Sequence, residues 1–236
     1  MFCFLAIGAM TLTSCSSDDN GGSGTILLKK TIETFDDGST MTSTATYDGT
    51  KIKKITTDQG FTLDFTYTGN LITKMEYKFI GVLFQTDIYS YDANENLTSY
   101  VRLEHEDGLG AKEVYVHNPD GTISVTAYSG DLTSQTTLDG TGTITFLANG
   151  EVDSITTTYS DDHTYTYDNK NNPFKNVTGY GKISWVDTEA AGIMHNITLD
   201  DTSFDTTTTY TYNGNDFPAT ATETYDGEQT TTEFFY

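Results

Sequence analysis

Four histidines, two cysteines and thirty-four carboxylates are the side chains of this chain with chemistry to offer, and their spacing argues against most of it. His105, His117, His163 and His195 stand far apart, without the His-x-x-x-His interval that sets two imidazoles on one helical face for zinc. Each is read as a strand or loop histidine. The chain has no Gly-x-Ser-x-Gly elbow, no Gly-x-Gly-x-x-Gly loop and no Walker loop. Carboxylates are so plentiful that no pair stands out as the acid and nucleophile of a glycosidase. The expectation is a non-enzymatic chain with no catalytic residues, no cofactor and no metal site.

One stretch comes near a metal loop. Asp92-x-Asn94-x-Asn96 has the first half of a calcium loop, but Leu97 stands where glycine is needed and Leu103 where the bidentate glutamate is needed. A hairpin turn accounts for the same residues. Acidic turns at Asp161-Asp162 and Asp200-Asp201 stay open as looser calcium sites. The formal charge of −22 sets a field that repels phosphate, so nucleic acid is excluded as a partner.

Both cysteines fall within the first fifteen residues, so the body holds neither a disulfide nor a thiolate metal site. Residues 2–12 form an apolar run too short to span a bilayer and suited to the core of an export signal. It ends in Leu12-Thr13-Ser14-Cys15, which resembles a lipobox. The resemblance implies a signal peptide over 1–14, cleavage before Cys15 and a lipid on that cysteine, making the membrane a partner through the anchor. Residues 15–24 read as a flexible tether. The acidic pair Asp18-Asp19 is similar to the surface-export signal of Bacteroidetes lipoproteins, which implies an outer-membrane protein facing the cell exterior.

The elements that must position any site are strands. β-branched and aromatic residues dominate and prolines number only 3, as half-buried pleated surfaces select. Phe61, Leu63, Phe65 and Tyr67 alternate with Thr62, Asp64 and Thr66, giving one buried and one wet face. Turn units punctuate such strands, most clearly Tyr91-Asp92-Ala93-Asn94-Glu95-Asn96-Leu97-Thr98. Looser copies begin at Tyr47, Tyr67, Tyr128, Phe146, Tyr167, Tyr212 and Tyr225. The units resemble the tyrosine-aspartate (YD, or RHS) repeats of bacterial surface proteins, without their regular period. The expected fold is all-β: one domain over 25–236, a long antiparallel meander of roughly fourteen to sixteen strands, curled or closed into a barrel-like sheet.

Residues 171–201 interrupt the rhythm. They hold Asn172-Pro173-Phe174-Lys175-Asn176, Gly179-Tyr180-Gly181, the single Trp185, and Glu189-Ala190-Ala191, which suits a short helical turn. With the aromatic C-terminus, this stretch is similar to an uncharacterised family of Bacteroidetes lipoproteins with a porin-like meander fold. That resemblance implies a fold and an address, and no activity.

Three functions are weighed. A surface binding module would use Tyr180, Trp185 and His195 as contacts for a glycan or protein partner. A structural or adhesive envelope protein would need no pocket. A pore needs strands whose alternate residues form an apolar band, and the threonine runs at 206–209 and around Met41 cannot supply one.

Overall fold

The computed structural model describes residues 24–236. The export signal, Cys15 and all but the last residue of the tether lie outside the described residues. Sixteen strands follow one another. The first eight are β1 (Lys30–Thr34), β2 (Thr40–Asp48), β3 (Lys51–Thr57), β4 (Phe61–Thr68), β5 (Leu71–Phe79), β6 (Val82–Tyr91), β7 (Leu97–Glu104) and β8 (Leu109–His117). The second eight are β9 (Ile123–Asp131), β10 (Gln135–Phe146), β11 (Val152–Thr157), β12 (His163–Tyr167), β13 (Ile197–Asp201), β14 (Thr206–Tyr212), β15 (Pro218–Tyr225) and β16 (Glu228–Phe235). Each pairs antiparallel with its neighbour in sequence, and β16 pairs with β1, so the meander is a closed barrel. Closure leaves no edge strand with unpaired backbone groups.

Two expected details differ. Asp139-Gly140, a dipeptide whose residue types suit a turn, does not turn the chain: it lies inside the twelve-residue β10, where the register against β9 shifts between Leu138 and Gly140. A bulge absorbs the extra residue that a turn would have used. Within the irregular stretch, Ile197–Asp201 forms a strand, and Glu189-Ala190-Ala191 is not helical. The one helical turn among the described residues is Tyr180–Lys182.

Most corners at one end of the barrel follow a common rule. An aromatic residue ends one strand and pairs with an apolar residue that begins the next, as in Tyr47 with Ile52, Tyr67 with Ile72, Tyr91 with Leu97, and Phe146 with Val152. In each of these pairs the register slips immediately before the aromatic, so a bulge turns its ring into the lumen. The apolar partners Ile52, Ile72, Leu97 and Val152 are almost wholly buried. Polar atoms of these rings reach back one hairpin: Tyr47 Oη donates to the Leu28 carbonyl at 2.6 Å and Tyr91 Oη to that of Ile72 at 2.8 Å. His117 Nε2 meets the Leu97 carbonyl in the same way at 2.8 Å.

Strand pairing puts cross-strand partners on one face. Thr209, Thr222, Thr231, Thr34 and Thr40 form one row on the outer wall. Thr46, Lys54, Asp64 and Glu76 form another, laced by ion pairs of Lys54 and Lys78 with Asp64 at 3.0 and 2.9 Å. The opposite face carries the core. Tyr89, Tyr100, Glu113 and Ala127 share a lumen row, and Phe65, Tyr115, Ile144, Ile155 and Tyr165 pack inside with Val177, Ile183 and Trp185.

Candidate functional site

The site is made by an insertion into a corner. Between β6 and β7, the Asp92 N–H donates to the Asn96 carbonyl at 3.0 Å, and its Oδ1 accepts the N–H groups of Asn94 and Asn96 at 2.8 and 2.9 Å. Its Oδ2 accepts Asn96 Nδ2 at 3.1 Å. Asp168 repeats this set with Lys170 and Asn196: N–H to the Asn196 carbonyl at 3.0 Å, Oδ1 from the two N–H groups at 2.9 and 3.1 Å, Oδ2 from Asn196 Nδ2 at 2.9 Å. The corner between β12 and β13 is therefore the Asp92 corner opened to admit a long loop, with Tyr167 and Ile197 still paired beneath it. The half calcium loop at Asp92 is a turn whose carboxylate is already saturated by protein donors.

The inserted loop enters the barrel as a plug. The Thr178 N–H donates to the Thr50 carbonyl at 3.0 Å and Tyr67 Oη to the Thr178 carbonyl at 3.2 Å, which ties the plug to two corners. Gly179 follows with φ of 80°, and a Cβ there would stand 2.6 Å from the Asn70 carbonyl oxygen. Only glycine permits this approach. The plug reverses at Val186–Glu189, with Asp187 and Thr188 at φ of 61° and 67°. Each such residue costs about 1–2 kcal/mol, more for the β-branched Thr188. Burying the Trp185 ring contributes about 4–6 kcal/mol, so the tip is held despite its strain.

Charged partners fix both arms. The Asp187 N–H donates to Glu113 Oε2 at 2.9 Å, Arg102 pairs with the Asp187 carboxylate, and the Ala190 N–H donates to Tyr165 Oη at 3.1 Å. On the return arm, Glu151 has 0% exposure. Its oxygens accept the N–H groups of Ile193, Met194 and His195 at 2.9, 2.7 and 2.7 Å, and meet His195 Nδ1 at 3.1 Å.

The three expected contact residues part company here. Trp185 is 6% exposed, edge-on to Tyr115, His117 and Phe146, and belongs to the plug's core instead of a contact face. A segment threaded into a lumen turns its largest apolar side chain to the wall. His195 is held in the Glu151 clasp. Tyr180 stacks on Phe174 with ring centroids 4.6 Å apart and lines open space within the barrel. The other histidines are also engaged: His105 with Thr86 at 2.9 Å and His163 with Asp200 at 2.9 Å.

That space surrounds the tip. Three cavities of about 480, 390 and 240 Å³ all touch Glu189, and a fourth of about 320 Å³ lies between Phe174 and the wall of β1–β3. The plug packs against the bulky lumen residues of β3–β12. Opposite it, many lumen positions are small, among them Thr206, Thr208, Ala221, Thr232, Thr31 and Ser43, with Tyr210, Glu223 and Phe234 between them. Sequence reasoning missed this wall, whose signal is alternate threonines where neighbouring strands carry tyrosines.

The lumen is acidic. Burial pushes the Asp87 carboxyl up to about 6, and neighbouring Asp187 adds to the shift. Burial likewise raises Glu113, against its hydrogen bonds from Tyr115, Asp187 and Tyr159. Glu33 is raised by burial and then by Glu223. Among the described residues no group of three His, Cys, Asp or Glu side chains is placed to hold a metal ion. Asp200-Asp201 ends β13 and is not a turn; Ser203 beyond it donates to Asp161 at 2.7 Å, and the acidic residues here do not form such a group.

A plugged, closed meander barrel is the class this geometry defines. No protein-family model matches the chain, and no curated protein sequence matches it. Among solved structures it is similar to a porin-like protein from Bacteroides uniformis, with 12% identity, TM-score 0.52, and coverage of 88% of this chain and 97% of that one. A porin-like protein from Bacteroides vulgatus aligns at 11% identity and TM-score 0.43, covering 90% and 99%. The first likeness supports the barrel fold.

Proposed function

We propose that this chain is an outer-membrane lipoprotein, anchored through Cys15 and facing the cell exterior, whose barrel is a non-enzymatic binding module and not a pore. The observation that carries the reading is the outer wall. Spanning strands present an apolar band to lipid, whereas the row from Thr209 through Thr40 is threonine at all five positions and its counterpart carries Lys54, Asp64 and Glu76. Most large apolar side chains face inward, onto a plug, and exposed ones such as Ile88, Val116 and Phe235 stand apart on β6, β8 and β16. The porin-like fold of a Bacteroides protein supports an envelope address. Leu28, four residues beyond the tether, meets Tyr47 at the plugged end of the barrel.

Two measurements test this. Mass spectrometry of the membrane-extracted protein is expected to find a lipidated Cys15 at the N-terminus, and an unmodified Cys15 still preceded by residues 2–14 would overturn the anchor. Planar bilayers with purified protein are expected to stay silent, and stepwise conductance would overturn the non-pore reading.

A further inference from the structure

We infer that the cavity between the plug and the small-residue wall takes an organic cation, an ammonium or guanidinium group carried on an apolar body. This rests on the binding-module reading and names its ligand class. The larger cavity and its apolar neighbour share Phe174, Thr232 and Phe234, so together they form one two-part groove. One part is lined by Leu28, Ala45 and Ile55 and suits a hydrocarbon or ring.

The other part offers acceptors. Glu189, Glu223 and Asp200 line it, and no lysine or arginine does. Asp200 is already engaged by His163, while Glu223 stands in the lumen row beside Thr208 and Thr230. Glu33 looks in from the far side of Thr232, its partner across β1 and β16. Across the strands Thr232 pairs with Glu33 on one side and Ala221 on the other, and Glu223 follows Ala221 by two residues on the same face. Glu33 is raised by Glu223 in addition to burial, a repulsion that a bound cation would relieve.

Asn196 supplies an independent sign. It is 2% exposed and lines the same cavity. Its Nδ2 is turned to Asp168, which leaves Oδ1 an acceptor with no hydrogen-bond partner. Buried polar atoms are seldom left so; Oδ1 has no open surface of its own, and a turn of the side chain into the cavity would bring it to an N–H donor on the ligand. Anions meet like charge in the acidic part, and the one lysine on the groove, Lys30 in the apolar part, lies over the Phe235 ring. Neutral ligands forgo the carboxylates.

The test uses phenethylamine, its neutral analogue 2-phenylethanol and the anion hydrocinnamate, each titrated into the folded protein and followed by NMR at Phe174, Phe234 and Thr232. Phenethylamine is expected to give saturable shifts, with 2-phenylethanol at least about tenfold weaker and hydrocinnamate weaker still. Glu33→Gln with Glu223→Gln is expected to remove the preference for the amine while the melting temperature is unchanged or higher, since two crowded carboxylates are lost. Equal affinity for the amine and the alcohol, or a preference that survives the double substitution, overturns the cation assignment and leaves a binding barrel. Silence from all three probes overturns the cation assignment alone, since the binding-module reading does not depend on small aromatic ligands.

Discussion

Replacing Glu151 with alanine tests whether one carboxylate holds the plug in the barrel. Its oxygens accept three consecutive backbone N–H groups, from Ile193 to His195, at 2.7–2.9 Å with no access to water. Alanine leaves all three donors buried without a partner, at about 1–3 kcal/mol each. The terms are not additive, because the arm relaxes toward water, so about 3–5 kcal/mol is the expected loss. The barrel keeps its closed hydrogen-bond ladder, and the loss falls on the plug as local opening. At about 1.4 kcal/mol per decade, amides 193–195 exchange about two to three and a half orders of magnitude faster, while those of β4–β9 keep their protection. Trp185 is the chain's single tryptophan, so its emission reports the same event: blue-shifted in the parent protein and red-shifted in Glu151→Ala. Glu151→Gln retains one acceptor oxygen, holds at most two of the donors and falls between. Unchanged exchange at 193–195 in Glu151→Ala refutes the clasp. A loss spread evenly over the barrel refutes the claim that plug and wall are separable.

Asp87 supplies a pH dependence. Its folded pKa of about 6 lies above the unfolded value, so its contribution is fully present below about pH 4 and is lost as pH rises through 6, by up to about 3 kcal/mol. Asp87→Asn should therefore melt higher than the parent at pH 7–8 and alike at pH 4; parallel melting curves across that range contradict the assignment. Thr188→Gly relieves a β-branched residue at positive φ but adds chain entropy to the unfolded state, leaving a gain of about 0.5–1 kcal/mol and a melting temperature about 1–4 °C higher. A lower melting temperature would show that the Thr188 side chain makes a contact worth more than the strain. Gly179→Ala drives a Cβ toward the Asn70 carbonyl and should cost about 2 kcal/mol or more, measured by denaturant melts. Gly181→Ala, which meets only the Ile193 side chain at 3.0 Å, should cost less, and the reverse order would count against the close approach of plug to corner.

What the sequence made legible was whatever a residue's own chemistry decides. Alternation at Phe61–Tyr67 and turn chemistry at Tyr91–Leu97 are local, and both led to the right elements. The period stayed hidden because the turn units mix two populations. Those at Tyr47, Tyr67, Tyr91, Phe146, Tyr167 and Tyr212 stand at the plugged end with their bulges, whereas Tyr128 and Tyr225 stand at the other. Aromatic-plus-turn chemistry suits both ends, and only strand pairing tells them apart. The plug was visible as a break in rhythm but not as an insertion, since that depends on Asp168 and Asn196 reproducing Asp92 and Asn96 across a gap no turn rule covers. Trp185 was read as a contact on the premise that an irregular aromatic loop lies on a surface. Closure of β16 onto β1 removes the premise, because it creates an interior that the loop can enter. The same closure turns threonines at 206, 208 and 232, unremarkable in an open sheet, into one wall of a cavity. The site is thus a property of ring closure and plug direction together, and its wall residues acquire their roles from partners distant in sequence, as Thr232 does from Glu33.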